Sequence, residues 1–246
     1  RMALSAHKGD YDLERENCIL ISNGKNWIEQ AAIDQLHGVA NLPGVVKTVG
    51  LPDLHPGKTP VGMAVLSRER FYPHLIGNDI GCGMSLFSTG VKQKKFRMDK
   101  WESRLNQVRE LSDIPCDNPY EEVCPIRDLG TIGTGNHFAE FQCLEHVYRE
   151  EEANRLGLLH GCLMLLIHSG SRGYGQEILN RYYSPEGLAE GSKEAEDYLK
   201  EHDSAILWAG RNRIVTAKKL LAWLGVEREV TPLLESCHNY LERTED

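Results

Sequence analysis

Cys162-Leu-Met-Leu-Leu-Ile-His-Ser-Gly-Ser-Arg-Gly173 sets two kinds of chemistry back to back. Cys162 to Ile167 is apolar throughout and reads as a buried strand. The polar run from His168 to Gly173 therefore falls at the carboxyl end of that strand, where a rigid scaffold can present functional groups. Upstream, a Pro- and Cys-containing loop (Cys116 to Arg127) gives way at Leu129 to a glycine-punctuated turn and then to an alternating strand, Phe138 to Leu144. Downstream, helices are predicted over Gln176–Tyr183 and across Glu194–Leu224, where Ile206, Ala209, Ala217, Leu220, Leu221 and Leu224 make a packed face. Nearer the N-terminus, Asn26–Val39 has the pattern of an amphipathic helix, with Trp27, Ala31, Leu36 and Val39 as its apolar positions and Pro43-Gly44 as its stop. Strands are predicted over Val45–Val49 and Val61–Leu66, on either side of the turn-rich run Leu51–Pro60, and Asp99–Leu111 reads as another helix. Strands and helices alternate without a steady βαβ rhythm, which points to an α+β fold. No internal repeat or low-complexity linker interrupts the chain, so residues 1–246 are expected to form a single large domain with mixed sheets and flanking helices.

Composition narrows the function classes. With 41% hydrophobic residues the chain can bury a sizeable core. No run approaches the roughly 18–20 apolar residues of a membrane helix, and the first residues lack a signal-peptide pattern, so the protein reads as cytoplasmic. The seven cysteines (Cys18, Cys82, Cys116, Cys124, Cys143, Cys162, Cys237) are odd in number and lack a CxxC pair. Neither a disulfide framework nor a zinc ribbon is implied, and most are expected to be small buried residues. A formal charge of −8 speaks against nucleic acid, yet Lys92, Lys94, Lys95, Arg97, Lys100, Arg104 and Arg109 crowd one stretch and Arg211, Arg213, Lys218 and Lys219 another. Each cluster suits an RNA track or a solvated helix face.

Four short stretches carry a residue able to bind metal, the first three of them together with glycine: Gly77-Asn-Asp-Ile-Gly-Cys-Gly-Met84, Leu129-Gly-Thr-Ile-Gly-Thr-Gly-Asn-His137, His168-Ser-Gly-Ser-Arg-Gly173 and Cys237-His-Asn239. A thiolate at Cys82 can bridge two cations, and the Asp79 carboxylate three residues earlier can bind one of them from the same turn. Taken singly, a cysteine between glycines is more often structural than a ligand, and His137 and His168 are each no more often ligands than not. Taken together, Asp79, Cys82, His137, His168 and His238 are enough to hold two transition metals with positions left open for substrate. The ligand types favour manganese, zinc, cobalt or iron over magnesium or calcium. Ser169-Gly-Ser-Arg-Gly173 suits phosphate, with backbone N–H groups and two hydroxyls as a nest and Arg172 as a bidentate donor; a plain turn with a solvated arginine is the competing account.

In this order the four stretches resemble the RNA-splicing ligase RtcB family, from about Leu51 onward. Pro52-Asp-Leu-His-Pro-Gly-Lys58 and Trp208-Ala-Gly-Arg-Asn-Arg213 are similar to further family features; Asp53 and His55 are expected to be supports outside the site. The resemblance implies an RtcB-like fold and a ligase that uses GTP and two Mn2+ ions. GMP would pass to an enzyme histidine and then to an RNA 3′-phosphate, and a 5′-hydroxyl would attack and expel GMP. A 2′,3′-cyclic phosphate would first be opened by hydrolysis. On this likeness Cys82 bridges the metals, Asp79 and His137 complete one ligand set, His168 and His238 complete the other, and Arg172 holds an RNA phosphate. Asn136, Phe138, Glu140 and Asn239 match positions that contact the guanylate; on their own they read as a turn amide, a core aromatic, a solvated carboxylate and a helix cap.

The likeness departs in one place. Family members continue beyond the position of Asp246, and that part holds the histidine that takes up GMP; no histidine follows His238 here. Two other readings stay open on that ground: a metal-dependent cyclic phosphodiesterase, and a non-catalytic metal- and RNA-binding module. Asn78 before Asp79, with Pro56-Gly-Lys-Thr-Pro-Val-Gly62, is similar to a bacterial branch found beside a release-factor-like protein; a helper protein stays an open partner that the sequence does not identify.

Overall fold

A computed structural model describes residues 17–116 and 129–244, apart from 24 and 26. Beyond Cys116, the loop expected up to Arg127 lies outside the described residues. The elements run β1 (Cys18–Leu20), α1 (Gln30–Ala40), β2 (Val45–His55), β3 (Val61–Ser67), β4 (Arg70–Phe71), α2 (Pro73–Ile76), β5 (Gly83–Lys92), α3 (Met98–Leu105), β6 (Phe138–Cys143), α4 (Glu150–Arg155), β7 (Cys162–Ser169), α5 (Gly173–Tyr182), β8 (Leu188–Ala189), α6 (Lys193–Trp223) and β9 (Pro232–Cys237). The fold is α+β with mixed sheets, and among the described residues no helix is long and apolar enough to cross a membrane.

The chain divides into two compact units. The first runs to Leu75 and resumes over Tyr182–Tyr198; the second comprises Ile76–Arg181 and the chain from Leu199. In the first unit, β2 pairs in parallel with β1 and antiparallel with β3, and α1 buries Ala32, Leu36 and Ala40 against Cys18 and Leu54. A short β4–β8 ribbon completes it, with Phe71 and Tyr182 both packed on the Tyr198 ring.

The second unit is built on a four-stranded antiparallel sheet in the order β6-β7-β5-β9. Phe87, Leu165 and Ile167 from this sheet pack on Ala217, Leu220 and Leu221 of α6, with Val230 closing the cluster. Leu165 is fully enclosed, so truncating it to alanine would cost roughly 2–5 kcal/mol. Strand register decides where function sits. His168 lies opposite Met84 on one side and Phe138 on the other, and Gly83 lies opposite both Ser169 and Cys237. One end of the sheet thus gathers all four stretches that carry the candidate metal ligands.

Several sequence boundaries move. The N-terminal helix begins at Gln30, and its buried face is Ala32, Ile33, Leu36, Val39 and Ala40; Trp27 is 78% exposed and Ala31 is also exposed. Trp27 sits ahead of the first turn, so periodicity could not bring it inward. The turn-rich run after Leu51 is extended as far as His55, with the pairing slipped between Gly50 and His55 where Pro52 offers no N–H to the ladder. The helix from Asp99 starts at Met98 and closes at Leu105, and Leu111–Asp113 forms a separate 3-10 turn. Of the six described cysteines, all free thiols, only Cys18 and Cys82 are buried; Cys143 is exposed and Cys116, Cys162 and Cys237 are half-buried. The basic group on α6 is not one surface either, because Arg213 and Lys219 are buried, the latter with its ammonium on the Leu129 carbonyl.

Candidate metal centre

Every candidate residue named from the sequence lies in the second unit. Asp79 and Cys82 occupy one turn, in which the Cys82 N–H donates to the Asp79 carbonyl at 3.1 Å. Gly81 makes that turn possible: its φ is +75°, and a Cβ there would stand 2.9 Å from the Ile206 Cα on α6. Asn239 braces the same turn, its amide Nδ2 donating to the carbonyls of Ile76 at 2.9 Å and Asp79 at 2.7 Å. The β5–β9 pairing continues past the strand ends, with the His238 N–H on the Cys82 carbonyl and the Gly81 N–H on that of Asn239, both at 2.9 Å. Gly170 lets β7 approach the turn, since a Cβ at that position would meet Asp79 Oδ1 at 2.0 Å.

Five donor side chains converge as a result. Cys82 Sγ lies 3.4 Å from His137 Nε2 and 3.2 Å from His168 Nε2. His137 Nε2 is 2.9 Å from Asp79 Oδ2, and His168 Nε2 is 3.2 Å from His238 Nε2. These atoms form two triads, Asp79–Cys82–His137 and Cys82–His168–His238, each with its ligand atoms within 4.8 Å of one another, and the thiol belongs to both. A tetrahedral ion with bonds of about 2.0–2.3 Å separates its ligands by roughly 3.3–3.7 Å, so a slight outward relaxation of either triad accommodates one. Donor chemistry and spacing both fit two cations sharing a thiolate.

The two triads differ in readiness. His168 Nδ1 donates to the Asn136 carbonyl at 3.0 Å, which leaves Nε2 without a proton and facing Cys82 and His238. Burial lowers the pKa of His168, and burial with the neighbouring His168 lowers that of His238, so both favour the neutral form that binds metal. At His137 the order is reversed. Arg172 Nη1 lies 3.1 Å from Nδ1, and a guanidinium can only donate, so the ring proton sits on Nε2 and points at Asp79. Burial pushes the Asp79 carboxyl up, but hydrogen bonds from His137 and Cys82 outweigh it and hold the group below its ordinary range. Burial, followed by the charge of Asp79, pushes the Cys82 thiol far above its ordinary range.

Arg172 itself has a φ of +59°, a strained conformation for a side chain of this size. Phe138 stacks edge-on against His168 with ring centroids 5.4 Å apart. The exposed Asn136 contributes its carbonyl to His168, whereas the exposed Glu140 carboxylate meets Gln142 on its own strand and does not join the cluster. Ser169 and Ser171 are fully buried, so their hydroxyls do not line an open phosphate nest as the sequence suggested; Arg172 is the polar group this run brings to the cluster. In the first unit, Asp53 and His55 share a local bond from the ring to the Asp53 carbonyl.

The family model for the tRNA-splicing ligase RtcB matches residues 35–121 and 118–246. The chain belongs to the RtcB family. Within it, the RNA-splicing ligase RtcB2 of Escherichia coli is 42% identical over 233 residues, covering 90% of this chain and 60% of that protein. The tRNA-splicing ligase RtcB of Nanoarchaeum equitans is 27% identical over 259 residues, covering 75% of this chain and 54% of that protein. The chain therefore spans a little over half the length of these RtcB relatives.

Proposed function

We propose that this chain carries the metal centre of an RNA ligase that uses GTP and manganese to join a 3′-phosphate or 2′,3′-cyclic phosphate end to a 5′-hydroxyl end. The observation that carries the reading is the position of Cys82 Sγ, 3.4 Å from His137 Nε2 and 3.2 Å from His168 Nε2 and common to both donor triads. Asp79 and His137 would complete one ion's ligands, and His168 and His238 the other's. Paired cations supply charge neutralisation at a phosphate and alignment for in-line displacement. The protein's own part is positioning. Arg172, released from His137, has a fork of donors for the RNA phosphate, while Asn136, Phe138, Glu140 and Asn239 are proposed to meet the guanylate. GTP would yield pyrophosphate and a guanylate held on a histidine. The RNA 3′-phosphate would take up that guanylate, and the 5′-hydroxyl oxygen would then form the new ester bond as GMP leaves.

Incubating the full-length protein with GTP, Mn2+ and the two RNA ends tests this. Joined RNA that disappears in Cys82→Ala is the expected result. Undiminished joining in that variant overturns the proposed centre, and opening of the cyclic phosphate without joining replaces the reading with a phosphodiesterase.

A further inference from the structure

Two consecutive side chains of α6, Asn212 and Arg213, are 0% and 1% exposed, and neither touches the five donors. A guanidinium buried this deeply is retained only if its N–H groups are matched. Arg213 Nη1 donates to the Gly81 carbonyl at 3.1 Å and to the Ser169 carbonyl at 2.8 Å. Its Nε donates to Ser85 Oγ at 2.7 Å and its Nη2 to Glu235 Oε1 at 2.8 Å. Gly81 immediately precedes Cys82, Ser169 immediately follows His168, and Glu235 lies on β9, which leads into His238. One planar cation thus ties together the three strand ends that present Cys82, His168 and His238.

Asn212 handles the fourth stretch. Its Oδ1 accepts from the Gly130 N–H at 2.8 Å and the Thr131 N–H at 3.1 Å, and its Nδ2 donates to the Thr131 carbonyl at 2.7 Å and to Ser169 Oγ at 3.2 Å. The loop that ends in His137 is thereby fastened to the strand that carries His168. Gly210, one turn N-terminal of this pair, lies close to Glu235, where a Cβ would stand 2.7 Å from Oε1.

We infer that Asn212 and Arg213 are positioning residues for the metal centre: they fix the mutual register of the four donor-bearing segments, so that the thiol of Cys82 is held between both histidine sets before any ion binds. The inference rests on the metal-centre reading and extends it to a helix that supplies no ligand. Partners that orient a ligand shell typically change metal affinity by about 10- to 100-fold when altered. Lysine at 213 keeps the charge but loses the planar fork that spans two carbonyls. Aspartate at 212 keeps the acceptor for the loop N–H groups but loses the donor to the Thr131 carbonyl and to Ser169.

Co2+ titration of the protein, followed through its thiolate-to-cobalt charge-transfer band and its visible d–d bands, is the test. Arg213→Lys and Asn212→Asp are expected to lower Co2+ affinity roughly 10- to 100-fold and to shift the d–d bands, with far-UV circular dichroism unchanged. Should Arg213→Lys fail to fold, Glu235→Gln decides. That side chain is 41% exposed, and the glutamine keeps an acceptor for Nη2 but removes the charge that anchors the guanidinium, so a reduced affinity with shifted bands is again expected. Folded variants with parental affinity and bands overturn the inference while leaving the centre intact. A parent protein without a charge-transfer band, or with one that survives Cys82→Ala, overturns the metal-centre reading and this inference with it.

Discussion

Cys82 lies within hydrogen-bond reach of two imidazoles, in the same turn as the Asp79 carboxylate, and its proton is held tightly because burial and the Asp79 charge both oppose a thiolate. An ion that binds Sγ must expel that proton. Since the group's folded pKa is raised, the proton is present throughout the neutral range, and metal affinity is expected to rise with pH. Proton competition at His168 and His238 runs in the same direction but is confined to acid, because burial keeps them neutral at and above the ordinary histidine range. Between pH 6.5 and 8 the affinity should therefore climb about tenfold per pH unit for each proton released. Calorimetric titration with Co2+ in buffers of different ionisation enthalpy measures that proton directly. A pH-independent affinity, or binding with no proton release, would remove Cys82 from the ligand set.

At the scale of elements, the sequence hid β1, β4, β8 and β9 and, at the heart of the larger sheet, β5. Its buried positions alternate as Gly83, Ser85, Phe87 and Thr89, while Met84 and Leu86 face the half-buried side, so polar and apolar residues fall on both faces and the period of two disappears. The structure accounts for the buried hydroxyls: Ser85 receives Arg213, and Thr89 Oγ1 donates to the Leu163 carbonyl at 2.7 Å. Thr89→Val leaves that carbonyl without its partner in a buried strand pair, and a loss of roughly 1–3 kcal/mol is expected, read as a lower urea midpoint with unchanged slope. By contrast β7 was legible, because Leu163 to Ile167 need only be apolar between two neighbours, and α6 was legible because its apolar face recurs over many turns. Four of the donors could be read because Asp79, Cys82, His137 and His168 stand beside glycine turns; His238 has no glycine near it in sequence and was legible only through the resemblance of the ordered set. The residues that aim them could not. Asn212 and Arg213 look like solvated positions until the helix is placed against the strand ends, and their role depends on backbone carbonyls that carry no mark in the sequence.

For the whole molecule the question is how a chain of net charge −8 would accept RNA. Ionic screening sets the answer: at physiological salt the Debye length is about 8 Å, so a phosphate senses the charges near it and not the total. Arg213 and Lys219 are buried in hydrogen bonds and contribute little to any such surface. The remaining concentration, Lys92, Lys94, Lys95, Arg97, Lys100, Arg104 and Arg109, is exposed throughout, though Arg97 is paired with Asp99 at 2.8 Å. It begins where β5 ends, so at about 3.3 Å per residue it lies up to roughly 30 Å from the metal ligands, at the opposite end of the strand that leads out of Cys82. An RNA strand that reaches both places would make its salt-sensitive contacts there and its chemical contacts at the centre. Lys94→Glu together with Lys95→Glu is expected to weaken RNA binding and to flatten the plot of log affinity against log salt by about 0.7 for each phosphate no longer neutralised, with Co2+ binding unchanged. Filter-binding or anisotropy titrations across a salt series measure the slope; an unchanged slope in the double variant would show that the RNA takes another route across the protein.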